Sequence, residues 1–234
     1  TNNPSEFEMD HNLFLDKDTF EKQINWISKK YKIIDPNNLT NGSNLDDKKH
    51  KRNALITFDD GSASIFKNAA PILRKYGLKA IIFLNMGPIK EEDFYSGLIC
   101  YLNSKDYFFK LNMNKIYPQK SDDFIFFNMN DIQNFSYATK TNNFSNKLKK
   151  YHGKFATINQ LKKNNDVFVY GSHLYNHFNA VNLTKSELEL QIVKNAKELK
   201  KLNGNPELFS YPFGQPDSCY NSNTDKAIIN LGVQ

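Results

Sequence analysis

Short apolar stretches alternate with longer helical patterns along this chain. Apolar stretches lie within residues 54–61, 79–85 and 167–169, and their length predicts strands. Residues 62–76 carry apolar side chains on one helical face, and Gly77 is placed to end that helix. The order strand, helix, strand predicts a parallel sheet with right-handed crossovers, in which the first strand is covered on both faces.

Further elements flank this unit. Residues 18–31 predict a helix capped at its start by Asp18 and Thr19, and residues 32–34 predict a short strand. A capping box at 184–187 begins another amphipathic helix, which runs toward Gly204. Pro71 predicts a kink or a late start in the helix at 62–76.

Two adjacent carboxylates, Asp59 and Asp60, end the first strand and precede Gly61. Adjacent side chains of a regular strand point to opposite faces, so both can reach one site only if the strand bends, and Gly61 permits a bend. Carboxylates at the C-terminal end of a parallel strand are candidates for catalysis or metal binding. By itself, the pair is more typical of a turn or a helix cap than of a functional site.

Two histidines, His173 and His177, follow the strand at 167–169 with a spacing of four residues. Either a helix face or a tight loop would bring both imidazoles to one metal ion. Together with a carboxylate from a strand end, they form a donor set that leaves coordination positions open.

Residues 207–215 form a third junction between a strand and a loop, in which Pro212 and Gly214 make the backbone rigid. Such a loop can direct a backbone N–H toward a developing oxyanion, while Tyr211 or Phe213 forms a wall for a sugar ring. Without the other two motifs, this segment is an ordinary turn.

These three motifs, in this order, resemble the NodB-homology polysaccharide deacetylases, also called carbohydrate esterase family four. Residues 57–61 match the first family motif fully, and 173–177 match the spacing of the second, with Leu174 where Ser or Thr is usual. The third match is 211–214, and the likeness extends from about residue 20 to the C-terminus, interrupted at 88–155.

The resemblance implies a role for each matched residue. Asp59 would be the general base, and Asp60, His173 and His177 would hold a divalent metal ion. We expect Zn²⁺, although Co²⁺, Ni²⁺, Fe²⁺ and Mn²⁺ accept similar ligands. The substrate-binding loop would consist of Tyr211, Pro212, Phe213 and Gly214, with the N–H of Phe213 donating to the oxyanion.

Two departures from the family pattern concern catalysis. Ser210 stands where many members carry an Arg that steadies the catalytic Asp, and no histidine after Gly214 could serve as general acid. Because the last residues look like a helix leading toward another strand, we expect the sequence to be truncated at its C-terminus.

The expected fold is α/β, and the resemblance implies a distorted (β/α)7-type barrel. We expect one catalytic domain over 1–234 with an insertion at 88–155. The aromatic residues of this insertion are Phe94, Tyr95, Tyr107, Phe108, Phe109, Phe124, Phe126 and Phe127. They predict either a lid or sugar platform, or, as we favour, a subdomain that covers its own small core.

Composition excludes several classes of protein. The net charge of +6 is dispersed, so we expect no nucleic-acid partner. Cys100 and Cys219 are too few for a disulfide framework, and the apolar run at 80–84 is far short of the about twenty residues that cross a bilayer. We expect reduced thiols and no transmembrane segment, and we favour a cytoplasmic over an exported location.

The predicted function is a metal-dependent hydrolase that removes an acyl group from a bacterial surface saccharide or its precursor. The expected acyl group is N-acetyl. A hydrolase opening a cyclic amide, imide or imidate on a sugar is the alternative, because Ser210 replaces the usual Arg. A saccharide-binding pseudoenzyme is the second alternative, because no general acid is visible.

Overall fold

A computed structural model describes residues 3–10, 12–39, 52–92, 94–104, 127–141 and 145–232. The strands in these ranges are β1 (Lys32–Ile33), β2 (Asn53–Ala54), β3 (Thr57–Asp60), β4 (Ala80–Leu84) and β5 (Phe168–Ser172). The α-helices are α1 (Glu6–Asp10), α2 (Lys17–Lys30), α3 (Ala70–Lys75), α4 (Met86–Ile89), α5 (Tyr95–Ser104), α6 (Met129–Thr141), α7 (Ser145–His152), α8 (Ile158–Lys162), α9 (Lys185–Lys200) and α10 (Ser222–Asn230). A π-helix at Ile65–Ala69 and 3₁₀ turns at Pro36–Asn38 and Ala180–Asn182 complete the elements.

The sheet that positions the site contains three parallel strands in the order β3, β4, β5. Asp60 pairs in register with Leu84, which in turn pairs with Ser172, so the three strands end in one row. β1 and β2 form a separate parallel pair. The predicted α/β class with parallel strands is confirmed, and within the described ranges these strands do not close into a barrel.

β3 departs from the expectation that it would be covered on both faces. Thr57 and Asp59 are exposed, while Phe58 and Asp60 are partly buried. Thr57 and Asp59 therefore lie on the solvent face and Phe58 and Asp60 on the more buried face, as in a half-buried strand. β4 matches the expectation better, since only Phe83 of its residues is not fully buried.

Local sequence signals predicted some helix boundaries correctly. The helix after β3 contains the π-helical stretch and then α3, in which Pro71 occupies the first turn, so the predicted irregularity at Pro71 is confirmed. At its end Gly77 has a φ of +63°, and its N–H donates to Arg74 O. The predicted capping box of α9 is confirmed at Thr184 and Glu187.

The predicted start of α2 is two residues late. Asp16, and not Asp18, is the N-cap, because its carboxylate accepts the N–H of Thr19 at 2.9 Å.

Two clusters of buried side chains hold the elements together. One surrounds the sheet and includes Leu73, Ile82 and Tyr170. The other joins α5, α6 and α7 to α9 and α10, and includes Phe135 and Tyr151. The expectation that 88–155 covers its own core therefore needs correction, since its helices share a core with the rest of the chain.

Several sequence expectations concern residues outside the described ranges. They are the predicted roles of the aromatic residues Tyr107, Phe108, Phe109, Phe124 and Phe126. Among the described helices, none combines the length and the apolar character needed to span a bilayer. Cys100 and Cys219 are both buried and form no disulfide.

Candidate metal centre and active site

The end of β3 turns sharply at the two carboxylates. Asp60 and Gly61 both have positive φ, at +65° and +83°, and the N–H of Gly61 donates to Asp59 O at 2.8 Å. This turn supplies the bend that the adjacent aspartates require, because it brings both carboxylates to one cleft. A left-handed Asp is strained by about 1–3 kcal/mol, and such strain is concentrated at functional sites.

The two histidines lie in the loop after β5. His173 follows the last residue of the strand directly, and Leu174 and His177 have φ values of +58° and +61°. A tight loop, and not a helix, therefore produces the convergence that the spacing predicts. Both imidazoles are almost completely buried, at 2% and 8% exposure for His173 and His177.

Asp60, His173 and His177 converge at the edge of the sheet. Asp60 Oδ1 lies 3.2 Å from His177 Nε2 and 3.7 Å from His173 Nε2. One ligand atom from each of the three residues lies within 4.8 Å of the other two. Two imidazole nitrogens and a carboxylate oxygen at this separation can bind one divalent cation.

The orientation of His173 is set by the third motif. Its Nδ1 donates to the backbone carbonyl of Ser210 at 2.8 Å. Because a carbonyl oxygen only accepts, Nδ1 carries the hydrogen, and Nε2 presents its lone pair toward Asp60. Outer hydrogen bonds of this kind orient metal-ligating histidines.

Buried amides hold the same loop against the sheet. The side-chain amide of Asn85 donates to the carbonyl oxygens of His173 and Leu174. Asn195 of α9 donates to Leu84 O at 2.9 Å and to Ser172 Oγ at 2.8 Å. The backbone on either side of His173 is therefore fixed by hydrogen bonds.

Burial controls the charge of the ligand residues. Burial lowers the pKa of His177 to about 3, and burial, followed by the charge of His177, lowers the pKa of His173. Both imidazoles are therefore neutral at neutral pH, the form that binds a metal ion.

Asp60 shows the opposite shift. Its side chain keeps 30% of its surface exposed, but Oδ1 is buried, and this burial raises the pKa of Asp60 to about 6. Asp60 Oδ1 accepts no hydrogen bond from the described residues. A buried carboxylate oxygen without a donor is costly, and a cation between Asp60 and the two imidazoles would satisfy it. The donor set and the unpartnered oxygen both fit a divalent metal ion.

A cleft of about 450 Å³ opens over these ligands. The predicted residues that line it are Asp59, Asp60, His173, His177, Tyr211, Phe213 and Gly214. Ser210 lines it as well, whereas Pro212 is buried and does not. All three motifs therefore meet at the same end of the sheet.

The third motif forms one wall of this cleft. Phe213 and Gly214 have φ values of +66° and +65°, and the Phe213 ring contacts the His177 ring at 4.7 Å between centroids. The Tyr211 hydroxyl donates to Asp225 Oδ1 at 2.7 Å, and its ring stacks on Tyr220 at 4.6 Å. Tyr211 is thereby anchored to α10. The aromatic wall is held in place before any sugar binds.

The sequence motifs do not reveal the opposite wall. It comprises Phe7, Leu13, Phe94, Ser96 and Cys100. Phe94 contacts the His177 ring at 5.3 Å between centroids. Ser96 Oγ is buried and has no hydrogen-bond partner among the described residues. In the sequence, Phe94 is one of several aromatics at 88–155, and no local pattern connects it with His177.

The comparisons with known proteins agree with this site. The family model described as polysaccharide deacetylase matches residues 46–234. The poly-beta-1,6-N-acetyl-D-glucosamine N-deacetylase of Staphylococcus aureus is 37% identical over 89 residues, which is 36% of this chain and 29% of that protein. The chain therefore matches under a third of the length of this curated relative.

Two solved structures share the fold. The Streptococcus pyogenes deacetylase PplD, in complex with acetate, aligns with a TM-score of 0.57 and 17% identity, over 96% of this chain and 74% of that one. IcaB from Ammonifex degensii aligns with a TM-score of 0.56 and 15% identity, over 92% and 72%. These likenesses confirm the predicted fold class, and the family match confirms the resemblance carried by the motifs.

Proposed function

The chain belongs to the polysaccharide deacetylase family, and on this premise we propose that it is a metal-dependent hydrolase that removes N-acetyl groups from a surface saccharide or its precursor. One observation carries the proposal. Asp60, His173 and His177 converge within 4.8 Å, and Asp59 lines the same cleft as a further carboxylate.

The metal ion would be held by Asp60 Oδ1 and the Nε2 atoms of the two histidines, with Zn²⁺ as our first expectation and Co²⁺, Ni²⁺, Fe²⁺ or Mn²⁺ as alternatives. When bound, a divalent ion supplies a Lewis acid that polarises the acyl carbonyl and lets water lose a proton near neutral pH. The hydrogen bond from His173 Nδ1 to Ser210 O keeps His173 Nε2 in the required orientation.

The chain's own residues account for most of the remaining steps. The Asp59 carboxylate accepts the proton of the attacking water. The backbone N–H of Phe213 donates to the oxyanion, a contribution whose loss costs about 3 kcal/mol in the barrier. The departing amine needs a proton, and the carboxyl group of Asp59, once protonated, is one source of it.

The shape of the cleft and the relatives support a saccharide substrate. The aromatic rings of Tyr211, Phe213 and Phe94 line a volume of about 450 Å³, and aromatic faces pack well on sugar rings. The staphylococcal relative is named for N-deacetylation of a polymer of N-acetyl-D-glucosamine. We therefore propose a saccharide containing N-acetylglucosamine as the substrate.

Substitution of the base and of a ligand tests the proposal. Asp59→Asn removes the proton acceptor and keeps the metal ligands, so acetate release should fall by about 10²–10⁴-fold with metal content unchanged. His173→Ala should lose both metal and activity. The measurements are elemental analysis and acetate release from N-acetylglucosamine oligosaccharides.

Asp217→Asn is the matched control, because Asp217 is an exposed aspartate, as Asp59 is, but does not line the cleft. It should behave as the wild type. Full activity of Asp59→Asn, or acetate release that survives complete metal removal, would contradict the proposal. A cyclic imide substrate run in parallel identifies the ring-opening alternative.

A further inference from the structure

A second cleft, of about 570 Å³, lies beside the metal centre. It is bounded by the start of the described chain, by the loop that follows Gly61 and by the segment that joins α7 to α8. We refer to it as the lysine cleft, because Lys67, Lys150 and Lys154 line it. These lysines come from three different elements, namely the π-helix, α7 and the loop after α7.

The lysine cleft carries positive charge that the described residues do not neutralise. Lys67, Lys150 and Lys154 form no ion pair within the described ranges, whereas Lys75 and Lys194 pair with Glu21 and Glu92. Dispersed surface lysines are usually solvated singly, but these three surround one concavity. The electrostatic fields of the three ammonium groups therefore add at the centre of the lysine cleft.

The one carboxylate in the lysine cleft, among the described residues, is already engaged. Glu8 Oε2 accepts hydrogen bonds from the backbone N–H of Ser5 at 2.7 Å and from Ser5 Oγ at 2.9 Å. Glu8 thus caps the first turn of α1 and does not pair with a lysine in the part of the chain that the structure describes. The cleft keeps an excess of positive charge.

Neutral hydrogen-bond donors accompany the ammonium groups. The side-chain oxygen of Gln160 accepts the N–H of Thr157 at 2.9 Å, which leaves its Nε2 group available to donate. The hydroxyls of Ser62 and Ser64 lie 2.9 Å apart in the same cleft. Ammonium, amide and hydroxyl donors around one cavity suit a group with several anionic oxygens.

Short contacts connect the lysine cleft to the metal centre. The N–H of Ala63 donates to Lys154 O, and the N–H of Ala156 donates to Gly61 O, both at 2.9 Å. The loop that carries Lys154 is therefore tied to the strand end that carries Asp60. In addition, the Phe94 ring contacts His152, in the wall of the lysine cleft, at 6.0 Å between centroids.

We propose that the lysine cleft binds an anionic group, phosphate or carboxylate, carried by a sugar unit next to the one that is deacetylated. This inference rests on the proposed function, because it names a second feature of the same substrate. The bound anion would hold the saccharide in register with the metal centre. The preferred substrate is then an anionic glycan.

The test compares two variants that change the net charge equally. K67Q/K150Q/K154Q removes the cleft lysines, and K29Q/K197Q/K200Q removes exposed lysines of α2 and α9 that do not line it. In metal-loaded protein, calorimetry with inorganic phosphate should show about ten-fold weaker binding for the cleft variant only. Any phosphate that binds the metal ion is common to all three proteins.

Kinetics then connect binding to the substrate. For phosphorylated or uronic-acid-containing oligosaccharides, the cleft variant should raise KM about ten-fold with kcat unchanged, and the effect should shrink at about 1 M salt. KM for the neutral oligosaccharide should stay the same. Whichever anionic saccharide shows the larger KM change identifies the anion.

The outcomes separate this inference from the proposed function. Equal phosphate affinity in the three proteins, or an equal rise of KM on the neutral saccharide, would contradict anion binding by the lysine cleft. Neither result would contradict the proposed deacetylase activity. If no saccharide is deacetylated, calorimetry with the anionic and neutral oligosaccharides decides in place of KM. Loss of anionic binding in the cleft variant alone then supports the cleft while the proposed activity fails.

Discussion

Gly61 decides the direction in which the β3 carboxylates point. Its φ is +83°, and a Cβ built at this position would lie 2.6 Å from Leu84 Cδ2 and 3.2 Å from Ile89 Cδ1. The turn therefore needs glycine both for its conformation and for the space around it. Asp-Gly at a strand end predicts the turn, but only the packing shows that β4 and α4 close around it.

Gly61→Ala should therefore destabilise the protein more than the backbone strain of a positive φ alone would. Positive φ costs an alanine about 1–2 kcal/mol, and the contact with Leu84 adds about 1–3 kcal/mol. Gly77→Ala is the matched control, because Gly77 also has positive φ and a Cβ added there would meet no atom within 4 Å. Urea unfolding measures both variants, and equal free energies of unfolding would contradict the packing argument.

His173 illustrates how a backbone atom can orient a metal ligand. The carbonyl oxygen of Ser210 accepts the hydrogen of His173 Nδ1. Any residue has a carbonyl oxygen, so the sequence could not show this contact. The side chain that departs from the pattern and the backbone that orients the ligand belong to the same residue.

At the scale of elements, α9 fastens the ends of two strands. Asn195 is fully buried, donates to Leu84 O and Ser172 Oγ, and accepts the N–H of Met86 at 3.0 Å. Ile192 and Leu199, three and four residues away on the same helix, belong to the buried apolar clusters. The amide instead satisfies backbone groups where the strands end.

Asn195→Ala should lower the free energy of unfolding by about 2–4 kcal/mol, since it leaves buried backbone groups without partners. It should also weaken metal binding, because Ser172 directly precedes His173. Denaturant unfolding and metal titration measure the two effects. Val193→Ala, on the exposed face of α9, should change neither by more than about 0.5 kcal/mol, and similar losses in both variants would refute the role of Asn195.

The whole molecule brings together ligands that lie far apart in the chain. Asp60 comes from β3, and His173 and His177 come from the loop after β5. A metal ion bound by all three would bind the folded state and not the unfolded one, so it should stabilise the entire fold.

The single domain over 1–234 with an insertion at 88–155 stays a prediction.

Metal removal should consequently lower Tm. At a free metal concentration of about 100 Kd the stabilisation is about 2.7 kcal/mol, which for a chain of this size corresponds to about 5–10 °C. Calorimetry with and without EDTA measures the difference. His173→Ala should show no effect of EDTA, whereas His152→Ala, outside the metal cluster, should keep it; a shift of the same size in His173→Ala would contradict the proposed ligand set.

Local signals in the sequence predicted β1, β3, β4 and β5, some helix boundaries, the order of the three motifs and the family, whereas the strand predicted before the third motif is only an isolated bridge between Phe209 and Ser172. They could do so because caps, turns and apolar periodicity depend on residues close together in the chain. Tertiary structure alone decided that Phe94 and Ser96 face the metal centre, that Ser210 orients His173, and that three lysines share a cleft. Those contacts join distant segments, and no pattern of neighbouring residues encodes which distant surfaces meet.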